Sequence, residues 1–419
     1  MSNPKSDLRI QINRIKEDLN QIAKFSTNTE GKGISRPGFS GADWKAREWL
    51  CEYFRSLGLS ARIDGAGNVC GRLGPENTST ILLGSHLDSV PEGGLFDGTL
   101  GVVAAMECVR VIQKNSIPLQ YAIEIIATSE EEGRFGGMLG SQAITGHLDM
   151  EWMESAKDLL GYSLKDAMTE CGLSFQSAIS AKREPDTIKA FLELHIEQGT
   201  ILENSGNSIG IVDGISGIFK WDIILKGRAD HSGTTPMGMR RDAFLGLAQF
   251  GSQIHDIVVS NGTPDTRLTI GEVDVRPGYA HTIPGEVRFT LVGRDLSEEV
   301  MQVVAENCQL RLETIAKTQS LEFSYQEASW LSPQKLNPEI RDLIISKARE
   351  LEYSYQLLPS GAGHDAQFFN TITPTGLIFI PSVGGLSHSP HEFSHWIDVE
   401  RGSNLLLETC LELAGSKKD

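Results

Sequence analysis

At 419 residues the chain exceeds a single hydrophobic core, and an ordinary 40% hydrophobic content with no apolar run near the roughly 20 residues of a bilayer span excludes disorder and a transmembrane protein. A formal net charge of −17 argues against nucleic acid and anionic membranes as partners. The cysteines Cys51, Cys70, Cys108, Cys171, Cys308 and Cys410 form no CxxC pair, which predicts reduced thiols, and the polar start MSNPKSDLRI lacks the pattern of a signal peptide, which predicts a cytoplasmic location.

Residues 1–24 read as an amphipathic helix with Leu8, Ile12, Ile15, Leu19 and Ile22 on one stripe, and 26–41 as a loop. Ala42, Ala46, Trp49, Leu50, Tyr53, Phe54 and Leu57 repeat at helical spacing and stop at Gly58. Short strands at 61–63 and 69–73 lead to a buried strand at 81–84. On a strand, residues two apart share a face, so His86 and Asp88 point the same way and pair as a metal ligand with the carboxylate that orients it. Asp97 follows a Gly-rich turn as a candidate acidic ligand, and a helix is expected from about 98 to 114. The run 121–128 is almost unbroken in its apolar character, as in a strand covered on both faces, and it ends in Ser129, Glu130, Glu131 and Glu132. A further apolar strand, 190–194, ends at His195, with Glu197 and Gln198 after it. Ligand chemistry thus stands at three strand ends, and the carboxyl ends of strands are where sites assemble in open α/β sheets.

The texture changes at 214–327. A long strand, a polar loop with His231, a helix at about 241–260, strands at 268–275 and 287–292, a helix at about 297–317 and a strand at 321–325 give the order of a split-βαβ sandwich. From 328 the first texture resumes, with a helix at 338–351, SGAGHDA at 360–366, a strand at 377–380 and GGLSHSPHEFSHW at 384–396. The reading is an α/β domain of residues 1–213 and 328–419 with an inserted α+β lid of residues 214–327.

The candidates for chemistry are His86, Asp97, Glu131, Glu132, His195 and one histidine among His388, His391 and His395. One adjacent glutamate of the pair binds metal while the other acts as base. Five protein ligands exceed the usual three of a single catalytic zinc and suit two ions about 3.5–4 Å apart. No GxSxG elbow, Walker lysine or strand-to-helix GxGxxG competes.

The stretches SHLDSVPEGGLFDGTLGV, TSEEEGRFGG, ELHIEQG, GRADHSGTTPM, GAGHDA and GGLSHSPHEF, in order along most of the chain, resemble the N-carbamoyl-L-amino acid hydrolases, β-ureidopropionases and allantoate amidohydrolases. These form the hydantoinase/carbamoylase branch of the aminoacylase-like dinuclear metallopeptidases. The resemblance implies a phosphorylase/hydrolase-like catalytic domain, its mixed sheet flanked by helices, and a ferredoxin-like lid that makes a homodimer. It implies hydrolysis of a carbamoyl or ureido C–N bond in a small molecule bearing a carboxylate, with two divalent ions of zinc, manganese, cobalt or nickel. Carried over by motif, His86, Asp97, Glu132, His195 and His388 are metal ligands, Asp97 bridges, and Glu131 is the general base. His231 lies near the substrate carbonyl and reaches the partner's site, Arg294 binds the substrate carboxylate, and His281, Gln198 and Gly363 complete the substrate site. A cis peptide is implied between Asp97 and Gly98.

The chain departs from this pattern where HTIPG places His281 at a position the family often fills with Asn, and where Val292 replaces an acidic residue before the arginine. Imidazole gives one hydrogen bond but not the paired donor and acceptor of a carboxamide. The alternative activity is that of a dipeptidase or aminoacylase of the same superfamily, against which ELHIEQG and RFGG count. Retention of Glu131 counts against a metal-binding protein without turnover.

Overall fold

The computed structural model describes residues 8–28 and 33–415. Residues 1–7 of the expected first helix and 29–32 of the loop after it lie outside them. The chain forms two compact units, one of Met1–Asp213, Leu336–Leu358 and His364–Asp419, the other of Gly214–Lys335 and Pro359–Gly363. No helix among the described residues is long and apolar enough to cross a membrane. All six cysteines are free thiols.

In chain order the strands are β1 (Ser60–Ile63), β2 (Val69–Leu73), β3 (Thr80–His86), β4 (Ala122–Thr128), β5 (Ile188–Ile196), β6 (Ile209–Ile215), β7 (Gly217–Lys226), β8 (Arg267–Arg276), β9 (Glu286–Asp295), β10 (Glu322–Leu331), the two-residue β11 (Gln334–Lys335), β12 (Tyr355–Ser360) and β13 (Thr375–Ile380). The first unit is built on a mixed sheet in the order β1-β2-β4-β3-β5-β13-β6. Its centre, β4-β3-β5-β13, is parallel, and β2 and β6 flank it antiparallel.

Every residue of β3 and β4 is buried, which is why these segments read as largely apolar runs rather than alternating ones, with Glu124 as the buried exception within β4. The crossover from β3 to β4 is the helix Thr99–Lys114, buried from Thr99 to Ile112. It packs on β3 and against the helices Ile12–Ala23 and Trp396–Leu413. Burying such Leu, Ile and Val side chains contributes about 1.5–3 kcal/mol each.

The chain leaves β4 on one side of β3 and returns to the other side as β5. This reversal opens a crevice beyond the carboxyl ends of these strands. In register, His86 stands opposite Thr128, and His195 opposite Phe379.

The second unit has an antiparallel sheet in the order β10-β7-β9-β8, which is the split-βαβ arrangement. Along β7, Phe219, Trp221, Ile223 and Leu225 are buried while Lys220, Asp222 and Lys226 are exposed. Phe289 and Leu291 join them in one core with Leu312 from the helix Glu298–Gln319. The period of two presents one apolar face to the helices.

The structure refines several expectations. The helix anticipated at 241–260 is two helices, Ala243–Gly251 and Ile254–Asn261, broken at Ser252 and Gln253. Strand β10 runs to Leu331 because a bulge between Glu327 and Ser329 restores its pairing with β7, so the sheet outlasts the expected end at residue 327. The carboxy-terminal helix Trp396–Leu413 and four short helices between Leu139 and Ile179 were not anticipated.

Candidate metal centre

Strand β3 delivers His86 at its last residue, 2% exposed. His86 Nδ1 donates to the main-chain oxygen of Asp88 at 3.0 Å, which turns Nε2 toward the neighbouring carboxylates. That atom faces Asp97 Oδ1 at 3.4 Å and Glu131 Oε2 at 3.7 Å. The expectation that the Asp88 carboxylate orients His86 is thereby corrected. Asp88 lies beyond the end of β3, where the two-residue rule lapses. Its carboxylate instead accepts the backbone N–H groups of Glu131 at 3.2 Å and Glu132 at 3.1 Å, with the buried Arg47 3.7 Å away.

His195 on β5 repeats the His86 arrangement. Nδ1 donates to Ile196 O at 2.9 Å, and Nε2 lies 3.1 Å from Asp97 Oδ1. Across Asp97, His388 Nε2 stands 3.4 Å from Oδ2 and 3.3 Å from Glu132 Oε2. Two groups of ligand atoms result, His86 with Asp97 and His195, and Asp97 with Glu132 and His388. Asp97 belongs to both, one oxygen to each. A third cluster, Glu193 with His195 and His364, is held by protein donors, Ser85 Oγ on Glu193 Oε1 at 2.6 Å and Ala366 N on Oε2 at 3.1 Å.

Buried carboxylates and imidazoles at this density set one another's charge. Burial alone raises the Asp97 pKa, yet the contacts from His195, His388 and His86 hold it well below the usual carboxylate range. Burial likewise opposes charge on His86, but Glu131, Asp97 and Glu132 together push it well above an ordinary imidazole. Hydrogen bonds to Asp97 and Glu132 raise His388 to about 10. Burial carries Glu131 the other way, well above the carboxylate range, against the pull of His86. The acidic groups demand positive charge. Glu132 Oε1 is buried with no hydrogen-bond partner, as fits an oxygen reserved for a cation. The donors are imidazole nitrogen and carboxylate oxygen, a set suited to zinc, manganese, cobalt or nickel.

The backbone around these ligands is specialised. Gly98 has φ +63, and a Cβ there would lie 2.2 Å from the His86 ring, so only glycine fits. The Asp97–Gly98 peptide is trans, contrary to the expectation, and the cis bond among the described residues precedes Pro277. Glu130, Gln198 and His388 are also held at positive φ, the kind of backbone strain that collects at functional sites.

Asp97 is held in place by Gln198, which the sequence analysis had assigned to the substrate, and by Ser387 and Glu392, which sequence reasoning missed. Its Oδ2 accepts from Gln198 Nε2 at 2.7 Å and from Ser387 Oγ at 2.6 Å, so Gln198 contacts a ligand directly. Glu392 accepts the N–H groups of Phe96 and Asp97. Both Ser387 and Glu392 lie in the stretch GGLSHSPHEF, where a polar pair flanking a ligand histidine was the available signal. Thr128 donates to the buried Asp365, and the distinction of Asp365 from solvent-facing acids is invisible in sequence.

His231, His281, Arg294 and Gly363 belong to the second unit. Within it, His231 and Thr282 form a bridge, and Ser232 N donates to His281 O at 3.0 Å, which brings the two histidine segments together. His231 Nδ1 accepts from Gly233 N at 3.0 Å and Thr234 N at 3.2 Å, fixing the proton on Nε2 of this exposed ring. Arg294 on β9 donates from Nη1 to Gly361 O at 2.9 Å, and burial lowers its pKa.

The model of peptidase family M20/M25/M40 matches residues 82–412. The chain belongs to this family. The match begins within β3 and spans all the ligand residues above. An N-carbamoyl-L-amino acid amidohydrolase of Geobacillus stearothermophilus is 37% identical over 410 residues, 97% of this chain and 99% of that protein. An allantoate amidohydrolase of Escherichia coli (strain K12) is 34% identical over 410 residues, 96% of this chain and 98% of that one. The crystal structure of an amidase of the hydantoinase/carbamoylase family from Burkholderia multivorans superposes with a TM-score of 0.88 at 29% identity, covering 97% of this chain and 98% of its own. This member of peptidase family M20/M25/M40 therefore sides, over its whole length, with amidohydrolases of carbamoyl and ureido compounds, as its motifs imply.

Proposed function

We propose that this protein hydrolyses a linear C–N bond of a carbamoyl or ureido compound bearing a carboxylate, at a site for two divalent ions. The observation that carries the reading is the division of Asp97, Oδ1 toward His86 and His195 and Oδ2 toward His388 beside Glu132. Bound there, divalent ions lower the pKa of water and draw charge from a carbonyl oxygen.

Glu131 is the general base. Its side chain, 9% exposed, sits beside the ligands but in neither ligand group, and burial raises its affinity for a proton. It takes the proton of the attacking water and returns it to the leaving nitrogen. His231 donates from Nε2 to the developing oxyanion, an interaction that strengthens toward the transition state. Arg294 pairs with the substrate carboxylate, while Gln198, His281 and Gly363 line the substrate. The second unit serves as the lid and as the surface of a homodimer, in which His231 completes the partner's site. Sedimentation at the mass of one chain under assay conditions would remove the shared site.

The test is ammonia and amine release from metal-reloaded protein across N-carbamoyl amino acids, ureidopropionate, allantoate and dipeptides. Turnover confined to carbamoyl and ureido compounds is expected, and preferential dipeptide cleavage would reassign the activity. For Arg294→Ala, KM for a carboxylate-bearing substrate should rise about 10- to 100-fold, as a charge-assisted contact of about 1.5–3 kcal/mol is lost. An analogue without the carboxylate should change little, and equal effects on both would take Arg294 out of the site.

A further inference from the structure

We propose that Glu392 is a positioning residue that fixes the separation of the two ligand groups sharing Asp97. The proposal rests on the dinuclear reading of Asp97. One carboxylate oxygen of Glu392, Oε1, accepts the N–H of Phe96 at 2.8 Å and of Asp97 at 3.1 Å, which anchors the backbone carrying the shared ligand. The other, Oε2, faces Ser387 Oγ at 2.9 Å. Ser387 precedes His388 and lies 2.6 Å from Asp97 Oδ2, the oxygen turned toward His388. A single carboxylate thus ties the turn bearing Asp97 to the loop bearing His388.

The fold makes room for this contact. A Cβ on Gly94 would lie 2.2 Å from Glu392 Cδ and Oε1 and 2.4 Å from its Cβ, so a side chain at residue 94 would displace the carboxylate from these contacts. Glu392 is 6% exposed and joins none of the groups of ligand atoms. Its role is to hold ligands, and outer-shell partners of that kind change metal affinity when removed.

Because Ser387 acts on Oδ2 alone, the link bears more on the ion held by Asp97, Glu132 and His388 than on the one held by His86, Asp97 and His195. Glutamine keeps both contacts, with its oxygen on the amide N–H groups and its NH2 donating to Ser387 Oγ, which is then free to donate to Asp97.

The experiment is cobalt(II) titration of metal-free protein, followed by visible absorption and by calorimetry, for wild type, Glu392→Ala, Glu392→Gln and Ser387→Ala. Wild type should take up two ions in separable steps. Glu392→Ala and Ser387→Ala should weaken one step about 10- to 100-fold and leave the other nearly unchanged, and Glu392→Gln should restore the weakened step. Wild type saturating at one ion overturns the dinuclear reading itself. Two steps in wild type with Ser387→Ala leaving both unchanged, or with Glu392→Ala weakening both equally, overturn the role of Glu392 alone. If Glu392→Ala does not fold, the Ser387→Ala and Glu392→Gln titrations decide.

Discussion

Glu131→Gln is expected to lower kcat by about 10²- to 10⁴-fold while the protein still takes up its full complement of metal. The amide keeps the shape of the side chain but has no basic oxygen to accept the proton of water. Metal content should hold because the Glu131 carboxylate belongs to neither group of ligand atoms. Its neighbour behaves oppositely. Glu132 Oε2 lies 3.3 Å from His388 Nε2 within one group, and Glu132 Oε1 is a buried oxygen without a partner. Glu132→Gln should therefore lose metal as well as activity. Emission spectrometry of both variants beside single-turnover rates checks the division, and equal metal loss from the two would contradict it. The turn itself should persist in both, since the Asp88 carboxylate holds the backbone N–H groups of residues 131 and 132, which the substitutions leave in place.

Asp97→Asn is expected to abolish turnover and to leave at most one ion bound. An amide presents a single oxygen, so only one of the two groups keeps its ligand, and the negative charge between three imidazoles is gone. The imidazoles then lose the anion that favours their positive charge. His388, raised to about 10 chiefly by Asp97 and Glu132, should titrate markedly lower in the metal-free variant, because removing a raising partner lowers a histidine pKa. Proton NMR of the His388 ring measures this, and an unchanged titration would disprove the contact.

The strand ends that carry the candidate ligands, on β3, β4 and β5, were legible because strands covered on both faces leave largely apolar runs, and the candidates stand where those runs stop. The split-βαβ order was legible for a related reason, since the alternation along β7 marks a sheet with one covered face. What sequence conceals is where a side chain turns once its strand has ended. Asp88 shows this, having been expected on the His86 ring and serving the 131–132 turn instead. Local breaks are concealed as well, because the stripe from Ala243 to Ile257 continues across Ser252 and Gln253 although the helix does not. Glu392 stood in a quoted motif, yet its contacts with Phe96 and Asp97 span nearly 300 positions and leave no periodic signal.

The most direct measurement is anomalous diffraction from crystals of the metal-loaded protein, collected at the absorption edge of the loaded ion. Two peaks about 3.5–4 Å apart with Asp97 between them are predicted, one beside His86 and His195 and the other beside Glu132 and His388. A single peak in crystals of fully active protein would contradict the shared-ligand centre on which the proposed hydrolysis rests.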